Sequence, residues 1–259
     1  PGTQLVTVNG LRRRLTELGP RVGIAESKTI QLTAGVRGDI GASDWTYDVS
    51  SQFGRVSRLD GLQNDVSIDR ARKAIVAIQT PDGIKCVSGG TCAPVNLFSG
   101  NGDIYRDSGI PMTGAISQAG LDYIRASYYS TQVTEAKTAS AIVSGPVAGI
   151  QLPAADSPVG LAFGAEWTEF NSNFRPDDLT QFGGAMGQGG TAPPLAGRVD
   201  TLEFFGEAYV PLITGKAGVE NLALDLGLRA SETNLAGSFE TWKAGLEYTP
   251  VAGYRFRAM

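Results

Sequence analysis

"VGLAFGAEWTEF", residues 159–170, alternates with a period of two. Val159, Leu161, Phe163, Ala165 and Trp167 take every second position, and Gly160, Ala162, Gly164, Glu166 and Thr168 fill the gaps. That period marks a β-strand with one apolar face. The fold turns on what this face meets: the dry interior of a soluble sandwich, or lipid.

The pattern recurs on both sides of this stretch. In "TIQLTAGVRGDI" (29–40), Ile30, Leu32, Ala34, Val36 and Ile40 share a face against Gln31, Thr33, Arg37 and Asp39. A short turn at 41–43 leads into "DWTYDVSSQF" (44–53), which completes a hairpin. "TLEFFGEAYVPL" (201–212), "NLALDLGLRAS" (221–231), "TWKAGLEYTP" (241–250) and "YRFRA" (254–258) repeat the alternation. "TEAKTASAIVSG" (134–145) is weaker, and "QLVTVNGLRRRL" (4–15) reads as a further strand. This amounts to about nine strands, with apolar runs longer than the roughly five or six residues usual for a soluble strand.

Composition removes several function classes. The chain of 259 residues has no histidine, which excludes Ser–His–Asp and Cys–His nucleophile pairs and histidine-ligated metals. Two cysteines are too few for a thiolate zinc site. A net charge of −4 gives no footprint for nucleic acid. No catalytic residue, metal or cofactor is expected. No apolar run is long enough for a spanning helix, whereas a membrane β-barrel needs only about ten alternating residues per strand. Both ends read as cuts in a longer protein, since the chain opens at Pro1 and stops beside a strand at Met259.

Connections are of two kinds. Those at 41–43 and 250–253 are short, those near 146–157 and 213–219 modest, and those at about 57–130 and 171–198 long. A connection of about 70 residues is foreign to a compact soluble domain but usual on the extracellular side of an outer-membrane barrel. Aromatics near strand ends (Trp45, Tyr47, Trp167, Trp242, Tyr248, Tyr254) fit interfacial girdles. The soluble β-sandwich, used as a binding module, stays as the competing architecture.

Eight segments, in order along nearly the whole chain, resemble the central barrel of TonB-dependent outer-membrane receptors of Gram-negative bacteria. They are "RRRLTELGPR" (12–21), "AGVRGDIGASDWTYDVSSQFGR" (34–55), "CAPVNLFSG" (92–100), "AISQAGLDYI" (115–124), "IVSGPV" (142–147), "LPAADSPVGLAFGAEWTEF" (152–170), "LEFFGEAYVPLI" (202–213) and "WKAGLEYTPVAGYRFRA" (242–258). The resemblance implies an all-β, antiparallel, up-and-down transmembrane barrel of about 22 strands. Residues 1–259 would form one partial barrel domain, lacking the plug and the C-terminal strands. It implies uptake of a scarce ligand (a ferric siderophore, cobalamin or a glycan) energised by the inner-membrane TonB complex acting through the plug. The partners it implies are the plug, the TonB complex, outer-membrane lipid and the ligand, and the location is the outer membrane. A non-energised porin or a structural outer-membrane barrel is the alternative.

Candidate site residues follow from that frame. Cys86 and Cys92, in "KCVSGGTC" within the first long loop, are either a disulfide or two free thiols; an oxidising surface and the resemblance both favour the disulfide. The charged residues Arg37, Asp39, Glu166, Glu203, Glu207, Asp225, Arg229, Lys243, Glu247, Arg255 and Arg257 would face the lumen, touching ligand or plug, or else only pairing with one another. Tyr105, Tyr123, Tyr128 and Tyr129 could touch a sugar or an aromatic chelate, or simply pack the loop. A short helix is expected near Ser117–Ser127 with Ser117 as its cap, and "FGGAMGQGGTAPP" (182–194) reads as a flexible surface loop. Glu169 shares parity with the lipid-facing set, so the strand should have left the bilayer by that residue.

Overall fold

The computed structural model describes residues 13–97 and 116–259. A 3-10 turn at Thr16–Leu18 precedes β1 (Val22–Asp39) and β2 (Thr46–Val66). Next come α1 (Ile68–Ala74), β3 (Ala77–Thr80), β4 (Gly83–Cys86) and α2 (Gln118–Ile124). The chain continues through β5 (Arg125–Pro146), β6 (Gly160–Pro176), α3 (Asp178–Phe182) and β7 (Leu195–Lys216), and then β8 (Val219–Thr233), β9 (Gly237–Val251) and β10 (Tyr254–Ala258).

The fold is all-β. Eight strands form one antiparallel sheet in the order β1-β2-β5-β6-β7-β8-β9-β10, an up-and-down meander, while β3 and β4 make a separate hairpin. The period-two segments of the sequence correspond to these eight strands. The segment at 4–15 lies mostly outside the described residues, and the hairpin β3–β4 carries too short an alternation to be read from sequence. Several strands exceed their apolar stretches: β2 runs on to Val66, β5 starts already at Arg125, and β6 reaches Pro176. The long connections are shorter by those lengths, because strand pairing continues where both faces have become polar.

Contacts divide the chain into two compact units. The first, here the loop unit, takes Pro1–Ser27, Arg58–Gln132 and Phe174–Leu195. It has an ordinary core of Leu18, Val66, Ala74, Val95, Ile116, Leu121 and Ile124. Its helices start where the sequence offers a cap. Ser67 accepts from the Arg70 amide, Ser117 from Gly120 and Asp177 from Thr180, each satisfying an amide that the first turn leaves open. The expected helix after Ser117 is therefore present as α2, and it stops at Ile124, where β5 begins.

Residues 182–194 differ from the flexible loop expected of them. The Ile68 amide donates to Gly184 O at 2.8 Å and the Met186 amide to Val66 O at 2.9 Å. The Gly187 amide donates to Asp65 Oδ2 at 2.8 Å. Asp65 is fully buried, and its other oxygen pairs with Arg21 at 2.9 Å. A Cβ on Gly187 would stand 2.6 Å from that carboxylate, so glycine is what permits the approach. The glycine-rich composition serves close backbone packing here.

The second unit, the wall unit, takes Lys28–Ser57, Val133–Asn173 and Ala196–Met259. Its strands are long and its register is regular. Leu228 of β8 faces Gly206 of β7 and Trp242 of β9, and Leu226 faces Ala208 and Ala244. Phe256 of β10 faces Tyr248 of β9. One face thus collects Leu202, Phe204, Ala208, Leu222, Leu224, Leu226, Leu228, Trp242, Ala244 and Leu246. Many of these are open: Phe204 is 58% exposed, Leu228 57% and Trp242 80%. On β1, Leu32 and Val36 are 64% and 63% exposed. The wall's shielded apolar residues are few: Ala155, Val159, Pro211 and Ala223.

Candidate functional site

The register brings Glu203, Glu207, Asp225, Arg229, Lys243 and Glu247 of β7–β9 onto one face. Glu203 stands opposite Ser231, Phe205 opposite Arg229, Glu207 opposite Gly227 (which in turn faces Lys243 of β9), and Tyr209 opposite Asp225. Arg229 reaches Glu203 at 2.7 Å, and the same carboxylate accepts from Ser231 Oγ at 2.7 Å. The Arg229 guanidinium also lies 5.0 Å from the centroid of the Phe205 ring, a cation–π contact. One level along, Lys243 bridges Glu207 at 3.1 Å and Asp225 at 3.3 Å. Further on, Glu247 takes Arg255, Arg257 at 3.2 Å and the Asn221 amide at 3.2 Å. These three clusters bring together eight of the eleven charged candidates.

The remaining three sit on β1 and β6. Arg37 is 3.9 Å from Asp48, while Asp39 and Glu166 make no ion pair among the described residues. Between these regions the polar face of β2, β5 and β6 is paved with small hydroxyls. Ser50 and Ser140 are 2.9 Å apart, and Thr46 and Ser144 3.2 Å. On β6 the small residues have a packing reason: the Phe205 ring lies where a Cβ on Gly164 would be. The glycines and alanine among the polar positions of 159–170 are thus the floor for a neighbouring aromatic.

The apolar face has its own boundary, which single-strand reading could not show. Following apolar parity away from the short turns, the first charged residue is Lys28 on β1, Arg55 on β2, Lys137 on β5 and Glu169 on β6. The series continues with Asp200 on β7, Glu240 on β9 and, on β8, Glu232 at the far end of the apolar run that starts after Glu220. Glu169 is its centre. Lys137 donates to it at 2.8 Å, Arg198 pairs with it at 2.9 Å, and Asn171 adds a bond at 2.8 Å. Arg198 also grips Asp200 at 2.7 Å, and Arg55 meets Glu135 at 3.3 Å. The pairs Lys137–Glu169, Arg198–Glu169 and Arg55–Glu135 were not legible from alternation, because each joins residues on different strands. Only the parity of Glu169 signalled that something changes there. Immediately beneath this rim, Trp167, Leu202, Ala139, Ala141, Val36 and Val49 line a shallow apolar trough.

In the loop unit, Cys86 and Cys92 are joined by a disulfide, with their Cα atoms 5.9 Å apart. Tyr123 packs against the hydrophobic core. The Tyr129 hydroxyl accepts from Gln63 at 3.2 Å, and its backbone is held by Asp177 through both the amide and the carbonyl. Tyr128 is half-buried. Tyr105 lies outside the described residues. The structure thus gives Tyr123 and Tyr129 work within the loop unit itself.

No group of acidic and cysteine side chains suited to a metal ion occurs among the described residues. No helix there is long and apolar enough to cross a membrane, which says nothing of strands. No protein-family model, curated protein or solved structure matches the chain.

Proposed function

We propose that this chain is part of the wall of an outer-membrane β-barrel receptor, with its apolar face toward lipid and its charged face toward the lumen. The carrying observation is the open apolar face that ends at one charged level. On β8 the charge-free span of that face runs from Glu220 to Glu232. Twelve residue rises at about 3.3 Å make about 40 Å along the strand, or about 30 Å after a tilt of about 40°. That is the thickness of a bilayer's hydrocarbon core, about 30 Å. A soluble sandwich would have to cover the same face with a second sheet. In the proposed barrel the edges of β1 and β10 pair with further strands, since closure removes exposed backbone edges.

The reaction is transport without covalent chemistry. The folded loops and the lumen capture a scarce ligand such as a ferric siderophore, cobalamin or a glycan. A plug driven by the TonB complex then admits it. The support for energised uptake over a passive pore is the resemblance of the eight segments and the elaboration of the loops.

Two measurements test this. Single-tryptophan variants that keep Trp242 are reconstituted with lipids brominated on their acyl chains. Strong quenching is expected, and quenching no greater than in water would refute the lipid-facing assignment. Separately, gene-dependent uptake of each ligand class is measured by comparing strains with and without the full gene. Uptake that persists when the proton-motive force is collapsed would favour the porin alternative.

A further inference from the structure

The hairpin β3–β4 presents an exposed apolar surface in the loop unit. The Val87 amide donates to Val76 O at 3.0 Å, which makes these two a bonded pair just before the hairpin proper. Ladder alternation then places Ile78 opposite Lys85 on the same face, and Ala77 opposite Cys86 on the other. On the second face Cys86 is buried and disulfide-linked, while Ile84 is 64% exposed. The first is open: Val76, Ile78 and Val87 are 54%, 51% and 58% exposed.

The backbone is equally available. Because Ile78 and Thr80 spend their amides and carbonyls on the inner ladder, and Val76 its carbonyl, those of Ala77 and Gln79 point to the outer edge of β3. Among the described residues that edge meets no third strand. It carries no charge, proline or bulge within Ala77–Thr80, the usual protections of a free edge. A two-stranded ribbon alone is marginally stable, so a third strand would add to it. The surroundings are basic. Over residues 68–87, Arg70, Arg72, Lys73 and Lys85 stand against Asp69 and Asp82, a net +2 in a chain of −4; Lys73 pairs with Asp69 and Lys85 with Asp82, so Arg70 and Arg72 carry the excess. The hydrogen bond from Lys73 to Asp69 raises the lysine's pKa and keeps it charged.

We infer that the outer edge of β3 is a docking site for an extended segment of a partner protein, with alternate apolar residues and acidic flanks. The segment adds as a third strand, bonding Ala77 and Gln79. Its apolar side chains lie beside Val76 and Ile78, and its acidic flanks meet the basic excess around Arg72. The inference stands whether or not the wall spans a membrane.

The test uses the full chain refolded in detergent and two labelled peptides. Both carry a core of alternating valine and threonine, one flanked by glutamates and the other by lysines. The acidic peptide should bind, with affinity falling about tenfold or more for the basic one and for Gln79→Pro. Gln79→Pro is selective because its lost amide is not part of the β3–β4 ladder, and unchanged protease resistance of the hairpin verifies that it still folds. Equal binding of both peptides, or binding that Gln79→Pro leaves intact, would overturn the proposal. So would self-association of the chain that Gln79→Pro abolishes, since the occupant would then be a second copy.

Discussion

The two units follow opposite rules for the same residue types. In the loop unit Ile124 is 1% exposed and belongs to a closed cluster, as in any small soluble domain. In the wall unit Leu228 is 57% exposed, and its neighbours on that face are other open apolar residues. Polar groups invert as well. The loop unit buries the Asp65 carboxylate behind a backbone amide and Arg21, whereas the wall sets most of its charges in accessible paired clusters along one face and buries one carboxylate, Glu169, in the rim of the other. A packed core stabilises the first unit from within. The second has little core of its own, so its stability must come from strand pairing and from whatever solvent covers its apolar face.

The largest expected effect comes from making one kind of truncation in each unit. Ile124→Ala should destabilise the loop unit by about 2–5 kcal/mol, through lost burial plus the cavity left behind. Leu228→Ala removes a side chain that is mostly open and should cost below about 1 kcal/mol in detergent. Amide hydrogen exchange, resolved by region, reads both. Comparable losses in the two units would mean that the wall has a hidden core and that the contrast is false.

A charge at the middle of the apolar face separates lipid from water. Leu226 lies midway between Glu220 and Glu232 and is 39% exposed. Leu226→Arg should cost about 2–4 kcal/mol when the chain folds into a bilayer, the penalty for arginine on the lipid face at midplane. In water the guanidinium would stay solvated, and the change would be within about 0.5 kcal/mol. Urea unfolding from lipid vesicles gives the number, and a negligible shift there would refute lipid contact at β8.

The disulfide bears on the other side of the comparison. It closes a short loop, from Cys86 to Cys92. Chain-entropy estimates for so small a loop give about 2 kcal/mol, felt only where the loop unit is folded. The double variant Cys86→Ser, Cys92→Ser should therefore open the β3–β4 hairpin to protease and leave exchange in β7–β9 unchanged. Loosening of both regions together would indicate that the units melt as one.

How much of this was legible follows from the same contrast. Strict alternation at 159–170 and 221–231 exposed the wall strands, because a sheet with one face apolar and one polar writes its period into the chain. It also fixed which charges share a face, since Glu203, Glu207, Asp225 and Arg229 have parities that the register brings together. The rim of ion pairs was invisible for the complementary reason, as Lys137, Glu169 and Arg198 meet only after three strands are aligned. The loop unit was least legible. Its core residues are spread from Leu18 to Ile124 without any period, and the glycines of 182–194 look alike whether they loosen a loop or admit a carboxylate. There the local signals were caps, and Ser117 was read because a serine before an apolar helical run has a specific hydrogen bond to make.

The smallest expected effect concerns the rim. Lys137 is one of two cations on Glu169, and its side chain is about half exposed, so truncating it leaves Arg198 to hold the carboxylate. Lys137→Ala should therefore cost below about 1 kcal/mol, as for other exposed pairs. Glu169→Leu should behave differently in the two environments. In water it strands Arg198 and Lys137 at little cost, because both are exposed enough to be solvated. In a bilayer it lengthens the apolar run of β6 past Trp167 while leaving two cations at its edge, so the strand should shift relative to the lipid. Quenching of Trp167 by lipids brominated at different depths reads that shift. A rim that marks the membrane boundary requires Trp167 to move deeper in Glu169→Leu. An unchanged depth would mean that the level of charges across β1–β9 has no bearing on where lipid ends.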